Sequence, residues 1–115
     1  MTWRQRIVAA HLAVTDAVSH FARMKSDRYF VWQEEGARDL IADGKHGERE
    51  MRGTTDLFTK RDGDPWAAQL EAAFDADGGI AWTRNGTWYE PDTGIIHTEW
   101  VWSSLDGEAE EPEAG

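Results

Sequence analysis

The stretch GIIHTEWVW, Gly94 to Trp102, decides how the fold is read. In an extended strand, successive side chains point to opposite faces of the sheet. Ile96, Thr98, Trp100 and Trp102 then share one face, and Ile95, His97, Glu99 and Val101 the other. Both faces are half apolar, whereas a strand with one face in water alternates cleanly. A sheet built on this strand is expected to be covered on both sides, by its own helices on one and by something else, such as a second chain, on the other.

Just upstream, Pro91-Asp92-Thr93-Gly94 carries the residues of a tight turn, and Ile80–Thr83 and Thr87–Glu90 supply the strand that enters it. Asn85-Gly86 between them is either a two-residue hairpin turn or a bulge in one long strand. Before that, Asp62-Gly63-Asp64-Pro65 predicts a helix start, with Asp64 as N-cap and Pro65 in the first turn. Trp66, Leu70, Ala73 and Phe74 follow at helical spacing to about Ala76, and Gly78-Gly79 stops the helix.

Residues 48–60 (EREMRGTTDLFTK) read as a long strand. Met51, Gly53, Thr55 and Leu57 alternate with Arg52, Thr54, Asp56 and Phe58. Gly53 in mid-strand predicts a bulge or a close backbone approach. Tyr29–Gln33 is dense in aromatic and branched residues and reads as a strand. Residues 34–47, polar and holding three glycines, read as a loop of about 14 residues, a length usual for functional or mobile loops.

At the start of the chain, Thr2-Trp3-Arg4-Gln5 has capping-box spacing. Trp3, Ile7, Ala10, Val14, Ala17, Val18 and Phe21 continue on one helical stripe, predicting a helix from about residue 3 to 24. Val8 and Leu12 lie on its far side. The expected fold is α+β in α-β-β-α-β-β order, an antiparallel sheet with two helices on one face.

The chain has 115 residues and a net charge of −10, which fits one domain over residues 1–105. Asp106, Glu108, Glu110, Glu111 and Glu113 crowd the last ten residues without a base or a large apolar side chain. Residues 106–115 are therefore expected to be a disordered acidic tail. The other 105 residues hold 12 bases and 17 acids. Nucleic-acid binding needs clustered Lys and Arg, so no nucleic-acid partner is expected. No apolar run approaches the ~20 residues of a membrane helix, so no membrane partner is expected either. There is no cysteine, which excludes disulfides and thiolate metal sites and fits an intracellular protein.

Asp92-Thr93-Gly94 matches the aspartic-protease triplet, but it follows Glu90-Pro91 instead of a buried apolar strand, and reads as a turn. His97 and Glu99 point the same way and, with Trp88 or Tyr89 opposite, could form a metal or acid–base site. No third ligand stands at a recognisable spacing, and a polar pair in a sheet or interface is the favoured reading. Placing Gly78 at the turn position of a calcium loop puts Ala73 and Arg84 where ligands belong, which rejects that loop. His-Glu-x-x-His, a phosphate-binding glycine loop and a nucleophile motif are all missing. No catalytic, cofactor-binding or metal-binding residue is assigned, and the chain is read as a protein other than an enzyme.

Tyr29-x-Val31-Trp32-x-Glu34, Gly53-Thr54-x-Asp56-x-Phe58-Thr59-Lys60, Ile80-x-Trp82 and Tyr89-Glu90-x-x-Thr93-Gly94-x-Ile96-His97-x-Glu99-Trp100-Val101-Trp102 form an ordered set. Over about residues 28–102 it resembles the small tail-terminator (tail-completion) proteins of siphophages and prophages of Gram-positive bacteria. The chain departs from that pattern in its acidic tail and at Thr55, where a larger apolar residue is expected. The resemblance implies a structural role: a ring, typically a hexamer of the chain itself, that caps the tail tube. It implies the major tail tube protein and a head–tail connector protein as partners. It also implies a place at the head-proximal end of the virion tail, with assembly in the host cytoplasm.

Candidate contact surfaces for such a ring are Val8 and Leu12, the 34–47 segment with Arg38, Leu40, Ile41 and Lys45, and the sheet face with His97, Glu99 and Val101. The alternative is a small acidic inhibitor or immunity-type protein that binds a basic partner, as a monomer with its acids on one face. A third reading is a ligand-binding domain with an aromatic pocket around Trp82, Trp88 and Trp100.

Overall fold

The computed structural model describes the backbone of residues 1–42 and 45–106 and, within them, all side chains except those of residues 38–42 and 45–48. Thr2 opens helix α1 (Trp3–Leu12) with a closed capping box. Its hydroxyl accepts the Gln5 N–H at 3.1 Å, and the Gln5 side chain accepts the Thr2 N–H at 2.9 Å.

The helix expected to run to about residue 24 stops at Leu12. Val14, Thr15 and Val18 are β-branched and favour extended chain, and the Thr15 hydroxyl captures the Ala17 N–H at 3.0 Å in a local turn. Val18–His20 then form a strand, β1. Ala17 and Val18, adjacent on the supposed helical stripe, pack on opposite faces of the sheet. The 14, 17, 18, 21 spacing of the apolar residues fits a helix, but the local turn and the pairing with β2 override it.

The remaining elements are β2 (Arg28–Ala42), β3 (Lys45–Thr59), α2 (Pro65–Asp77), β4 (Ile80–Glu90) and β5 (Ile95–Asp106). They form one five-stranded sheet in the order β1-β2-β3-β5-β4. This overturns the expected purely antiparallel sheet. β1 runs parallel to β2, with Val18 opposite Phe30 and His20 opposite Trp32; the other pairings are antiparallel. The element order becomes α-β-β-β-α-β-β. A parallel pair needs a return connection, and here residues 21–27 must make it. The reversal begins at Phe21, whose φ of 73° is left-handed. The Ala22 N–H closes a three-residue turn on the His20 carbonyl at 2.9 Å. Such a turn is strained by about 1–3 kcal/mol for a residue with a side chain.

The loop expected at 34–47 is also corrected. Residues 34–42 and 45–47 extend β2 and β3 into the arms of one long hairpin, paired as far as Ala42 with Lys45. Among the described residues, β5 pairs with β3 as far as Asp106 opposite Arg49. The three glycines and mostly polar residues of 34–47 break the apolar alternation that marks a strand, which is why this stretch lacked a strand signature. Gly36 stands at a register shift in β2. Asn85-Gly86 is a bulge, with the register slipping between Arg84 and Gly86 while β4 continues unbroken.

Both helices pack on the same face. Ile7 and Ala10 of α1 and Leu70 and Phe74 of α2 join Phe30, Trp32, Leu57, Trp100 and Trp102 in the main core. At its centre lies His11, fully buried. The Ile7 carbonyl, 2.7 Å from His11 Nδ1, can only accept, so Nδ1 carries the proton. Nε2 then accepts the Thr55 hydroxyl at 3.0 Å, and Thr55 Oγ1 accepts the Trp102 indole N–H at 2.9 Å. Burial lowers the His11 pKa to about 4, against the opposing hydrogen bond to Ile7. A threonine at position 55 is thus the hub of a buried polar chain. The Trp102 ring lies against Gly53, where an added Cβ would come within 2.4 Å of the Gln33 carbonyl and 2.5 Å of the indole. Gly53 marks a close backbone approach.

Helix α2 starts and stops as its sequence signals predict. Asp64 caps it through the Trp66 N–H at 2.9 Å, and Gly78 ends it at φ 83°. Asp64 also receives Arg28 on both oxygens, at 2.6 and 2.8 Å, and the Thr59 hydroxyl at 2.7 Å. Burial pushes its carboxyl up, but these hydrogen bonds and the Arg28 charge outweigh that and hold the pKa at about 2. The Arg28 guanidinium lies 3.7 Å from the Trp66 ring centroid, so one cation ties β2 to the start of α2.

Candidate functional site

The helix-free face of the sheet is organised in register. Tyr29 stands opposite Phe58, Phe58 opposite His97, and His97 opposite Trp88. Their rings form a cross-strand ladder with centroid spacings of 5.1, 4.5 and 5.5 Å. Residues 21–27 return across its start. Arg23 sits 4.2 Å over Phe58 and donates to the Tyr29 hydroxyl at 3.5 Å. That contact raises the Arg23 pKa, chiefly through the Tyr29 hydrogen bond. The chain's own link thus covers the Tyr29 end, and the ladder emerges at Trp88, which is 48% exposed.

The next row places Asp56 opposite Glu99. Like charges in that position repel, and each carboxylate is drawn away by a different partner. Asp56 bonds His97 Nε2 at 2.7 Å, and Glu99 accepts the Asn85 amide at 2.7 Å. The bulge at Asn85 aims that amide. His97 is held between Phe58 and Trp88 with Nε2 committed to Asp56, so it is a positioned polar group in the sheet. Among the described residues, no three metal-ligating side chains converge.

His97, Glu99 and Val101 therefore line up along central strand β5, all half-buried on this face. Val8 is half-buried against the main core, while Leu12, one turn on, is 56% exposed. Arg38, Leu40 and Ile41 fall on the arm of β2 and Lys45 begins β3, but their side chains lie outside the described residues. Among the described residues, Val8 and Leu12 lie on the first helix and the β5 row on the helix-free face, so these two do not form one patch.

Trp82, Trp88 and Trp100 do not gather around one pocket. Trp82 and Trp100 lie on the helix face, where their N–H groups donate to Asp75 and Glu71 of α2 at 2.7 and 2.8 Å. Trp88 lies on the other face. Below them, a groove of about 400 Å³ runs between the start of α2 and the ends of β4 and β5, with Leu57, Ala67, Ala68 and Ile96 among its lining. At the opposite edge of the sheet, Phe21 stacks on His20 and His20 on Trp32, each at 3.9 Å. His20 also bonds Glu34 at 2.7 Å.

Sequence reasoning missed Phe21, Arg23, Asp56 and Asn85 as surface-forming residues. Asp56 was legible, since it shares alternation with Phe58 and faces His97 once the strands pair. Phe21 and Arg23 gave no signal while residues 13–24 read as helix.

No family pattern and no curated protein matches the chain. Among solved structures, its fold is similar to that of a chain in the virion of a native gene transfer agent particle. The TM-score is 0.53 at 14% sequence identity, with 91% of each chain covered. At that identity the likeness is one of fold.

Proposed function

We propose that this chain is a structural component of a phage-type particle, a tail-terminator or head–tail joining protein that caps the tail tube as an oligomeric ring. The observation that carries the reading is the fold shared almost end to end with a chain of the gene transfer agent virion. The sequence resemblance to tail-terminator proteins points the same way from independent residues. The geometry supports surface recognition over chemistry: the polar groups of the helix-free face hydrogen-bond one another, and its ladder ends in an exposed indole.

In this reading the partners are copies of the chain, the tail tube protein and the head connector. The contact surfaces are Val8 with Leu12, the hairpin arm bearing Arg38, Leu40, Ile41 and Lys45, and the β5 row of His97, Glu99 and Val101. The hairpin contributes to a molecule 53 Å in its longest dimension and about half that in the others, a shape suited to reaching a neighbour. Removing the gene from its particle tests the proposal. Overlong tails that fail to join heads are expected; joined tails of normal length would overturn it.

A further inference from the structure

We propose that Asn85-Gly86 is a site of spontaneous covalent modification, where hydrolysis of the Asn85 amide turns a neutral hydrogen-bond donor into a third carboxylate beside Glu99 and Asp56. The inference stands on the geometry of β4 and β5 and is independent of the ring reading above.

Asn85 is the chain's single asparagine, and asparagine is among the thermolabile residues. The reaction needs a side-chain amide, a following main-chain nitrogen that can reach its carbon, and water. Asn85 is exposed on β4, an edge strand of the sheet. The register slips between Arg84 and Gly86, so Asn85 is the extra residue of the bulge and has no register partner on β5. Such a residue is released from the ladder that holds a regular strand extended. Gly86 follows with no side chain to hinder ring closure. The fold also keeps a larger residue out, because an added Cβ would lie 3.0 Å from the Trp88 ring. The packing of Trp88 thus preserves the pair that reacts.

The bonds balance with water as the co-reactant. The Gly86 main-chain nitrogen attacks the side-chain carbonyl carbon of Asn85. A C–N bond forms and closes a five-membered imide, and the Cγ–Nδ2 bond breaks. Nδ2 leaves as ammonia, taking the proton that the Gly86 nitrogen gives up. Water then opens the imide at either carbonyl, leaving aspartate, or isoaspartate with its longer main chain.

The change falls where it is felt. Asn85 Nδ2 donates to Glu99 Oε1 at 2.7 Å, and Glu99 stands opposite Asp56 on β3. Asp56 is held by His97 at 2.7 Å, so the Asn85 amide is the group that steadies the Glu99 side of this like-charged pair. Either product puts an anion where that donor was, and like charges on neighbouring strands repel. Arg84, next in the chain, is committed to Glu71 of α2 at 2.7 Å. The bulge is pushed away from β5, and the face bearing His97, Glu99 and Val101 becomes more negative.

Two measurements test this. The protein is incubated folded and in urea, at physiological temperature and mildly alkaline pH, and mass spectrometry of its fragments reads the exchange of NH for O at residue 85. The folded protein is expected to convert no more than about tenfold more slowly than the unfolded chain, because an unpaired residue on an edge strand opens locally at little cost. Asn85→Gln would have to close a larger ring and should remain unconverted in the same time. A folded protein slower than that bound, or an Asn85→Gln protein that converts as fast, overturns the site. The second measurement is thermal unfolding of Asn85→Asp, which mimics the product, beside Asn85→Ala, which only removes the donor. Asn85→Asp should melt about 2–4 °C below Asn85→Ala, with the gap narrowing in salt. Equal midpoints would overturn the carboxylate clash as the consequence of the modification.

Discussion

His11 Nε2 and Thr55 Oγ1 meet at 3.0 Å in the centre of the main core, joining the first helix to the middle strand. The bond completes a chain in which every polar atom has a partner: Ile7 carbonyl, imidazole, hydroxyl and Trp102 indole. Thr55→Val keeps the shape and deletes the hydroxyl, leaving a buried acceptor and a buried donor unpaired. A loss of about 2–3 kcal/mol in unfolding free energy is expected from denaturant titration. An unchanged midpoint would show that the hydroxyl is not the hub.

The same histidine sets a pH dependence. Its pKa falls from 6.5 unfolded to about 4 folded because burial disfavours the charged ring. A group depressed in the folded state stabilises fully above its unfolded pKa and loses that contribution as pH falls. Stability should therefore decline between about pH 6.5 and 4, by up to about 3 kcal/mol. His11→Gln cannot titrate and should flatten that slope in chemical denaturation at stepped pH. Equal slopes in the two proteins would contradict the assignment.

Asp64 separates capping from charge. Its carboxyl is held at about 2 against 3.8 unfolded, so its contribution is complete above pH 3.8 and disappears as pH falls toward 2. Asp64→Asn keeps an N-cap but loses the bidentate Arg28 pair, and should cost about 2 kcal/mol at neutral pH. Asp64→Ala should cost about 1 kcal/mol more, since the cap goes too. Thermal unfolding that ranks the two equally would remove the cap from this picture.

Gly53→Ala inserts a methyl where the Gln33 carbonyl and the Trp102 ring leave no room. Backbone on one side and a buried indole on the other cannot both yield. A destabilisation of about 1–3 kcal/mol, with a changed Trp102 environment in near-ultraviolet dichroism, is the expected result; a neutral substitution would contradict the close approach.

Much of this fold was legible from residues alone. The capping box at Thr2, the Asp64-Pro65 start and the Gly78 stop each carry their own local chemistry, and each formed as that chemistry dictates. The alternation on β5 placed its two faces because a strand has a fixed period. What failed did so where local signals were ambiguous or silent. Residues 14–21 carry helical apolar spacing, but their β-branched residues, the Thr15 turn and the pairing with Phe30–Trp32 made the segment extended. The hairpin arm looked like a loop because its glycines and polar residues leave no regular apolar alternation to read. The ladder from Tyr29 to Trp88 needed the register of four strands, which no single strand records.

Electron microscopy of the protein mixed with its purified tail tubes bears most directly on the ring-capping role. The expected image is a closed ring of copies seated on one end of each tube, with the tubes no longer able to lengthen. Bare tube ends and a protein that remains monomeric in the same mixture would contradict it.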